Sequence, residues 1–235
     1  MKKYKSILVI SDTHFPYHHP DTIDFLRKIK AKYKPDNVVH IGDEIDGQSI
    51  SMHDHSPELM APADEFAAAI KKLQPLYKLF PNVDVLESNH GSLVYRRGEK
   101  FGIPRHVLKS YGAMIEAPKG WRWHYDLVLT CSNGEQVYFH HARSSNALRA
   151  SQQMGTNVVF GHHHNKFSIE HWTSGIVKKW GMFVGCLIDI KSLAYAYGRN
   201  NLTQPILGCG VILEGQARLI PLNVDKNGRW DGKVN

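Results

Sequence analysis

The chain is poor in cysteine and has no long apolar run, and these two absences exclude several classes of protein. Cys131, Cys186 and Cys209 are its only cysteines. Odd in number and far apart, they give neither a disulfide framework nor zinc-ribbon spacing, which suits a reducing cytoplasm. No stretch of about 18 apolar residues occurs, so a membrane-spanning helix is not expected. Positive charge does precede Ile7-Leu8-Val9-Ile10, but that stretch is too short for a signal-peptide core and reads as a first β-strand. There is no Gly-x-x-x-x-Gly-Lys phosphate loop and no nucleophile elbow. Repeats, low-complexity tracts and linkers are also missing, so the 235 residues are expected to form one domain, 1–235.

What is present is ordinary in bulk and unusual in one respect. An apolar share of 42% is enough for a core, and a charged share of 22% is typical of globular chains. The net charge of +7 favours polyanionic partners such as nucleotides or nucleic acid. The basic residues are scattered in pairs, as at Lys71-Lys72, Arg96-Arg97 and Lys178-Lys179, without a dense tract. The oddity is histidine, of which there are 15; no side chain ligates metals more often. The run His162-His163-His164 is internal and too short to be a purification tag.

The first half reads as alternating strands and helices. Residues 5–11 form a short aliphatic run, and between residues 21 and 34 Ile23, Leu26, Ile29 and Tyr33 recur at helical spacing. Pro35-Asp36 stops that helix, residues 37–41 read as a buried strand, residues 63–80 as a second amphipathic helix, and residues 83–86 as a third strand. The β-α-β-α-β order predicts an α/β fold with parallel central strands. The second half is richer in strands: 121–131 and 136–140 joined at Ser132-Asn133-Gly134, 157–160, 206–213 and 216–222, with a helix over 144–154. The whole is expected to be one domain of two packed sheets with helices outside.

Side chains with metal-binding chemistry follow these strands repeatedly. Strand one ends in Ser11-Asp12-Thr13-His14, strand two in Gly42-Asp43-Glu44-Ile45-Asp46, and strand three in Ser88-Asn89-His90; two later strands end in His140-His141 and Gly161-His162-His163-His164. Singly, each is a commonplace turn or cap. In sequence, each after an apolar strand, they fit one crevice outside the carboxyl ends of an α/β sheet, where ligands gather.

The order Asp-x-His, Gly-Asp-x-x-Asp, Asn-His, His, Gly-His-x-His resembles the calcineurin-like metallophosphoesterase superfamily. The motifs extend from Asp12 to His164. The resemblance implies an α/β fold built as a two-sheet β-sandwich flanked by helices (αββα). It implies that Asp12, His14 and His164 hold one metal, that Asp43 bridges two, and that Asn89, His140 and His162 hold the second. His90 would protonate the leaving oxygen or steady the transition state, with Asp46 orienting it. The implied cofactors are two divalent ions, with Mn²⁺ expected and Fe, Zn²⁺ or Ni²⁺ as alternatives, since imidazoles with carboxylate and amide oxygens suit these ions. Such a pair shares a hydroxide and clamps phosphoryl oxygens for in-line attack.

The chain departs from the family pattern at four places. Phe15 follows Asp-x-His where glycine is usual, Ser88 precedes Asn-His in place of glycine, Gly91 stands where an acidic residue is common, and His141 replaces the glycine after the fourth-motif histidine. His140 is preferred as the ligand because it directly follows Val137-Tyr138-Phe139, but a shift of one residue would select His141. His163 should alternate away from the site. Further candidates are His53 and His55 in the loop after the second motif, Arg96, Arg97 and Arg143 as phosphate grips, and Trp121 and Trp123 as a stacking platform or, more simply, as core residues.

The reading favoured by the basic balance and the lack of room for a capping domain is a phosphodiesterase acting on nucleotides or nucleic acid. The alternative is a phosphomonoesterase of nucleotidase type. The protein-phosphatase variety ranks last, because Gly47-Gln48 and Gly91 occupy the places of its Arg-Gly and Glu. A further alternative is a non-catalytic scaffold on the same fold; the complete set of competent donors argues against it.

Overall fold

The structure, a computed structural model, describes residues 2–51, 58–192 and 202–234. Two short strands open the chain, β1 (Lys3–Tyr4) and β2 (Ser6–Ile10), followed by α1 (Thr22–Tyr33), β3 (Asn37–His40), α2 (Pro62–Leu79) and β4 (Asn82–Leu86). This is the expected β-α-β-α-β unit, and β2, β3 and β4 lie side by side in parallel register. α1 turns Phe25, Leu26 and Ile29 inward and ends where Lys34 adopts a left-handed conformation, its N–H bonded to the Lys30 carbonyl. α2 starts with a proline in its first turn and places Asp64 and Glu65 at the positive end of the helix dipole.

The chain continues through α3 (Leu93–Lys100), α4 (Tyr111–Met114), β5 (Gly120–His124), β6 (Leu127–Cys131), β7 (Gln136–His140), α5 (Ala147–Met154) and β8 (Asn157–Phe160). Four more strands follow, β9 (Phe167–Thr173), β10 (Lys178–Val184), β11 (Gly208–Leu213) and β12 (Gln216–Pro221). They build two mixed sheets, one ordered β12-β11-β2-β3-β4-β5 and the other β1-β6-β7-β8-β10-β9. The single strand expected over 121–131 is in fact two. β5 joins β4 in the first sheet, and β6 pairs with β7 in the second. The change of sheet coincides with a change of core: Trp121 packs on the helical side of the first sheet, whereas Leu129 and Cys131 pack between the sheets. The helix expected from 144 begins later because the Asn146 side chain caps it, accepting the Arg149 N–H at 2.8 Å.

Strand alternation sorts the side chains into layers. Ile7, Val9, Val39, Ile41, Val137, Phe139 and Val159 fill the space between the sheets. Leu8, Ile10 and Val38 point the other way, toward Phe25, Leu26, Ile29, Leu73 and Leu76 of α1 and α2. On the far side, Tyr138, Val158 and Phe160 face Ala147 and Ala150 of α5. The result is a sandwich of two sheets covered by helices, with the carboxyl ends of β2, β3, β4, β7 and β8 at one edge. Phe25→Ala, at a fully buried position in the core beneath α1, should lower unfolding free energy by roughly 3–5 kcal/mol in a urea titration while leaving metal stoichiometry unchanged.

Candidate metal centre

The loops leaving β2 and β3 do not separate at once. The Asp12 N–H reaches the Gly42 carbonyl at 3.1 Å, His14 N–H the Asp43 carbonyl at 3.0 Å, and Phe15 N–H the Glu44 carbonyl at 2.8 Å. This ladder holds both tips together while the backbone twists sharply: Asp12, His14, Asp43 and His162 all have φ between 48° and 64°. Left-handed conformations cost non-glycine residues of order 1–3 kcal/mol and collect at functional sites. Two glycines make the approach possible. A Cβ on Gly42 would stand 2.5 Å from the Ser88 Cβ, and one on Gly161 would stand 2.1 Å from the Ser11 Oγ and 2.8 Å from an Asp12 carboxylate oxygen.

Asp12 and Asp43 are the buried anions of the site, 0% and 1% exposed. Asp12 accepts hydrogen bonds from the Ser11 hydroxyl and, at 2.9 Å, from the His162 main-chain N–H, and its other oxygen lies 3.2 Å from His164 Nε2. Asp43 accepts the His90 N–H at 3.0 Å and faces His141 Nε2 at 3.2 Å. His14 Nε2 stands 3.8 Å from a carboxylate oxygen of each and 3.2 Å from His164 Nε2. Among the described residues, donor atoms within 4.8 Å of one another form three overlapping groups: Asp12, His14 and His164; His14, Asp43 and His90; and Asp43, His141 and His162.

The ring orientations suit metal ligation. His14 Nδ1 is 2.7 Å from Asp46 Oδ1, and His141 Nδ1 is 2.8 Å from the Ile41 carbonyl. An Nδ1–H donated to each acceptor fixes the tautomer and leaves the Nε2 lone pair facing Asp43. Asn89 Oδ1 lies 2.7 Å from His141 Nε2, so the amide oxygen joins the same group. Burial by itself disfavours charge on these side chains. The neighbouring Asp43 outweighs it at His141, whose pKa rises to about 9, and the hydrogen bonds to Asp12 and Asp46 outweigh it at His14, which is also raised. The same pairing carries Asp12 and Asp43 below the usual carboxylate range in spite of their burial. Protons thus occupy the place of cations, and the donors present, imidazole and carboxylate without thiolate, are those that divalent first-row ions favour.

Two sequence expectations need correction. His140 does not face the site. Residues 137 and 139 point between the sheets and 138 points to α5, so alternation carries His141 inward and His140 outward. The His140 ring packs 5.4 Å from Tyr125 and accepts the Ala142 N–H at 3.1 Å. The Asp46 carboxylate bonds His14 and stays 4.0 Å from His90 Nδ1, which is held instead by the Asp46 main-chain carbonyl. Asp12, His14, Asp43, Asn89, His90, His162 and His164 all gather as the motifs suggest, and His163 turns away against Phe183.

The remaining candidates have structural duties or fall elsewhere. Arg96 bonds the Asn89 carbonyl, and Arg97 the carbonyls of Ile50 and Ser51. Arg143 holds the Tyr138 hydroxyl at 2.9 Å. Trp121 packs in the core with its N–H on the Phe80 carbonyl, and Trp123 donates to buried Glu44. His53 and His55 lie outside the described residues. Two supporting groups carried no signal beyond their place beside a motif residue. They are Ser11, bonded to Asp12, and Ser88, whose Oγ accepts the N–H groups of Asp43 and Gly91.

The sequence model of the calcineurin-like phosphoesterase family matches residues 5–185. The Gene 54 protein of Mycobacterium phage D29 is 28% identical over 220 residues, covering 83% of this chain and 84% of its own length. Its counterpart from Mycobacterium phage L5 is 26% identical over 219 residues, with the same coverage. Among solved structures, Vps29 of Chaetomium thermophilum matches with a TM-score of 0.50 at 11% identity, over 98% of this chain and 96% of that one; this is a likeness of fold.

The corrected roles separate in a metal-content assay. His141→Ala should lose bound Mn²⁺ on gel filtration while His140→Ala keeps it; the reverse pattern would restore the first assignment. Asp46→Ala should weaken metal affinity roughly 10–100-fold, as loss of an orienting partner does. Asp46→Asn, still able to accept from His14 Nδ1, should recover most of it.

Proposed function

The chain belongs to the calcineurin-like phosphoesterase family and is a metal-dependent phosphoester hydrolase, and from that premise we propose that it cleaves phosphodiesters of nucleotides or nucleic acid at a two-metal site. The observation that carries the two-metal reading is the placing of Asp43, whose carboxylate groups with His141 and His162 on one side and lies 3.8 Å from His14 Nε2 on the other. Asp12, His14 and His164 would hold one ion, Asn89, His141 and His162 the other, with Asp43 shared. Two divalent ions held there, Mn²⁺ foremost, would supply Lewis-acid charge for phosphoryl oxygens and for a water molecule.

The chain's own residues supply the rest. Asp46 and the Ile41 carbonyl keep His14 and His141 in the ligating tautomer. His90, tethered through Nδ1 to the Asp46 carbonyl and through its N–H to Asp43, keeps Nε2 for the substrate and passes a proton to the leaving oxygen. Preference for diesters over monoesters is supported by the net charge of +7, which attracts a polyanion.

The metal-stripped protein, reloaded with Mn²⁺, should hydrolyse bis-p-nitrophenyl phosphate in preference to p-nitrophenyl phosphate. His90→Ala should keep its metal and lose roughly 10²–10⁴-fold in kcat, the usual yield of general acid help. Monoester turnover alone would replace the diesterase reading with a phosphomonoesterase. No turnover of either ester with Mn²⁺, Fe²⁺, Zn²⁺ or Ni²⁺ would end the hydrolytic proposal.

A further inference from the structure

A cavity of about 520 Å³ lies on the other side of the turn that presents Asn89 and His90, and Ser88 and Gly91 of that turn are part of its wall. Its volume is in the range of small-ligand sites, roughly 300–1,000 Å³. Tyr95, Tyr111 and Trp123 give it aromatic walls, while Arg105, Lys109 and Lys119 supply cations against the single carboxylate of Glu87. Arg105 stacks over the Tyr95 ring at 4.4 Å and lies 3.8 Å from Glu87, so this cation is already fixed in place. Gly91 matters to the wall, because a Cβ there would come within 3.1 Å of the Ser88 Oγ and 3.3 Å of the Tyr111 ring.

We infer that this cavity seats a nucleotide, its base against the aromatic walls and its phosphate on the Arg105, Lys109 and Lys119 rim. The inference rests on the phosphodiesterase reading and gives that site its substrate class. Three features argue for a nucleotide over an apolar ligand. Aromatic side chains and cations line the same hollow, which is how base and phosphate are bound together without sequence preference. The net charge of the lining is positive, in keeping with the whole chain. The cavity shares one turn of backbone with the proposed catalytic histidine, through Ser88 and Gly91 on either side of Asn89 and His90. The neighbouring nucleotide can belong to a single strand or to a mononucleotide ester; the chemistry is common to both.

The experiment compares three substrates with Mn²⁺-loaded protein: bis-p-nitrophenyl phosphate, which has no base, the p-nitrophenyl ester of thymidine 5′-monophosphate, and single-stranded oligothymidylate. Two variants are run beside the wild type. Ala113→Trp fills the cavity from an exposed position of α4, and the Lys109→Glu, Lys119→Glu pair reverses its rim. In both, KM for the thymidine ester should rise roughly tenfold, about the worth of one stacked base, with bis-p-nitrophenyl phosphate turnover unchanged. A larger rise for oligothymidylate, steepened at low salt, identifies a strand as the source; equal rises identify the mononucleotide. Quenching of tryptophan fluorescence by oligothymidylate in the metal-free protein reads the cavity without hydrolysis. Quenching lost in the variants supports the cavity even if no ester is cleaved, which would sink only the hydrolytic reading. Unchanged KM and quenching in both variants, with bis-p-nitrophenyl phosphate still cleaved, overturn the inference and leave the hydrolase standing.

Discussion

Burying Asp12 and Asp43 side by side, out of reach of bulk water, is a demand that the surrounding structure has to meet. An unpaired buried carboxylate costs several kcal/mol, against a total stability of roughly 5–15 kcal/mol for a domain. The compensation comes from the raised imidazoles of His14 and His141, 3.2–3.8 Å away, from His164 Nε2 at 3.2 Å, and from N–H groups of His90 and His162 on the carboxylates. Glu44, next in sequence and fully buried, adds no third anion at neutral pH. Burial, with Asp43 nearby, pushes its carboxyl up to about 8, and Trp123 donates to it at 3.0 Å. The pair Asp12 and Asp43 is thus a standing attraction for cations, and a divalent ion competes there with histidine protons.

Meeting that demand requires backbone that strands alone cannot provide. A β-strand ends with its side chains aimed across the sheet, whereas the site needs groups from five tips to aim along the crevice. The left-handed residues at Asp12, His14, Asp43 and His162 make that change of direction, and the continuing ladder between the β2 and β3 tips holds it. Further support arrives from farther away. Glu65 of α2 accepts the N–H groups of Gln48 and Ser49, and Arg97 of α3 holds the next two carbonyls. A helix carboxylate and a helix guanidinium therefore fix the loop that carries Asp46, and through it the ring of His14.

This division explains what could be read in the sequence. The β-α-β-α-β half was legible because apolar periodicity and stop signals such as Pro35-Asp36 are local. The motif residues were legible because each follows a strand. The choice between His140 and His141 was not settled by adjacency, since both follow β7 directly; the parity of Val137 and Phe139 decides it, and that needs knowledge of which face is inside. Asp46 was expected to orient His90 through its carboxylate, but its carboxylate and its carbonyl serve different rings, His14 and His90, 32 and 44 residues away. The chain's change of sheet after His124 and the helix α3 depend on tertiary packing, and no local pattern announced them. Ser88 looked like a mere loss of glycine.

Ser88 links the loop of Asp43 to the cavity beside it. Its hydroxyl accepts from the Asp43 N–H at 2.9 Å and from the Gly91 N–H at 3.2 Å, binding the metal-facing loop to the wall of the aromatic cavity. A glycine there would leave both N–H groups without this acceptor, and the turn carrying Asn89 and His90 would be held to Asp43 by the His90 N–H on its carboxylate. The strand tips set which chemistry is available, and loops and turns set what reaches it. The turn is held to Asp43 on one side, by Ser88 Oγ and the His90 N–H, and forms part of the cavity wall on the other. The same hydroxyl therefore helps keep the turn in register with Asp43 and shapes one wall of the cavity.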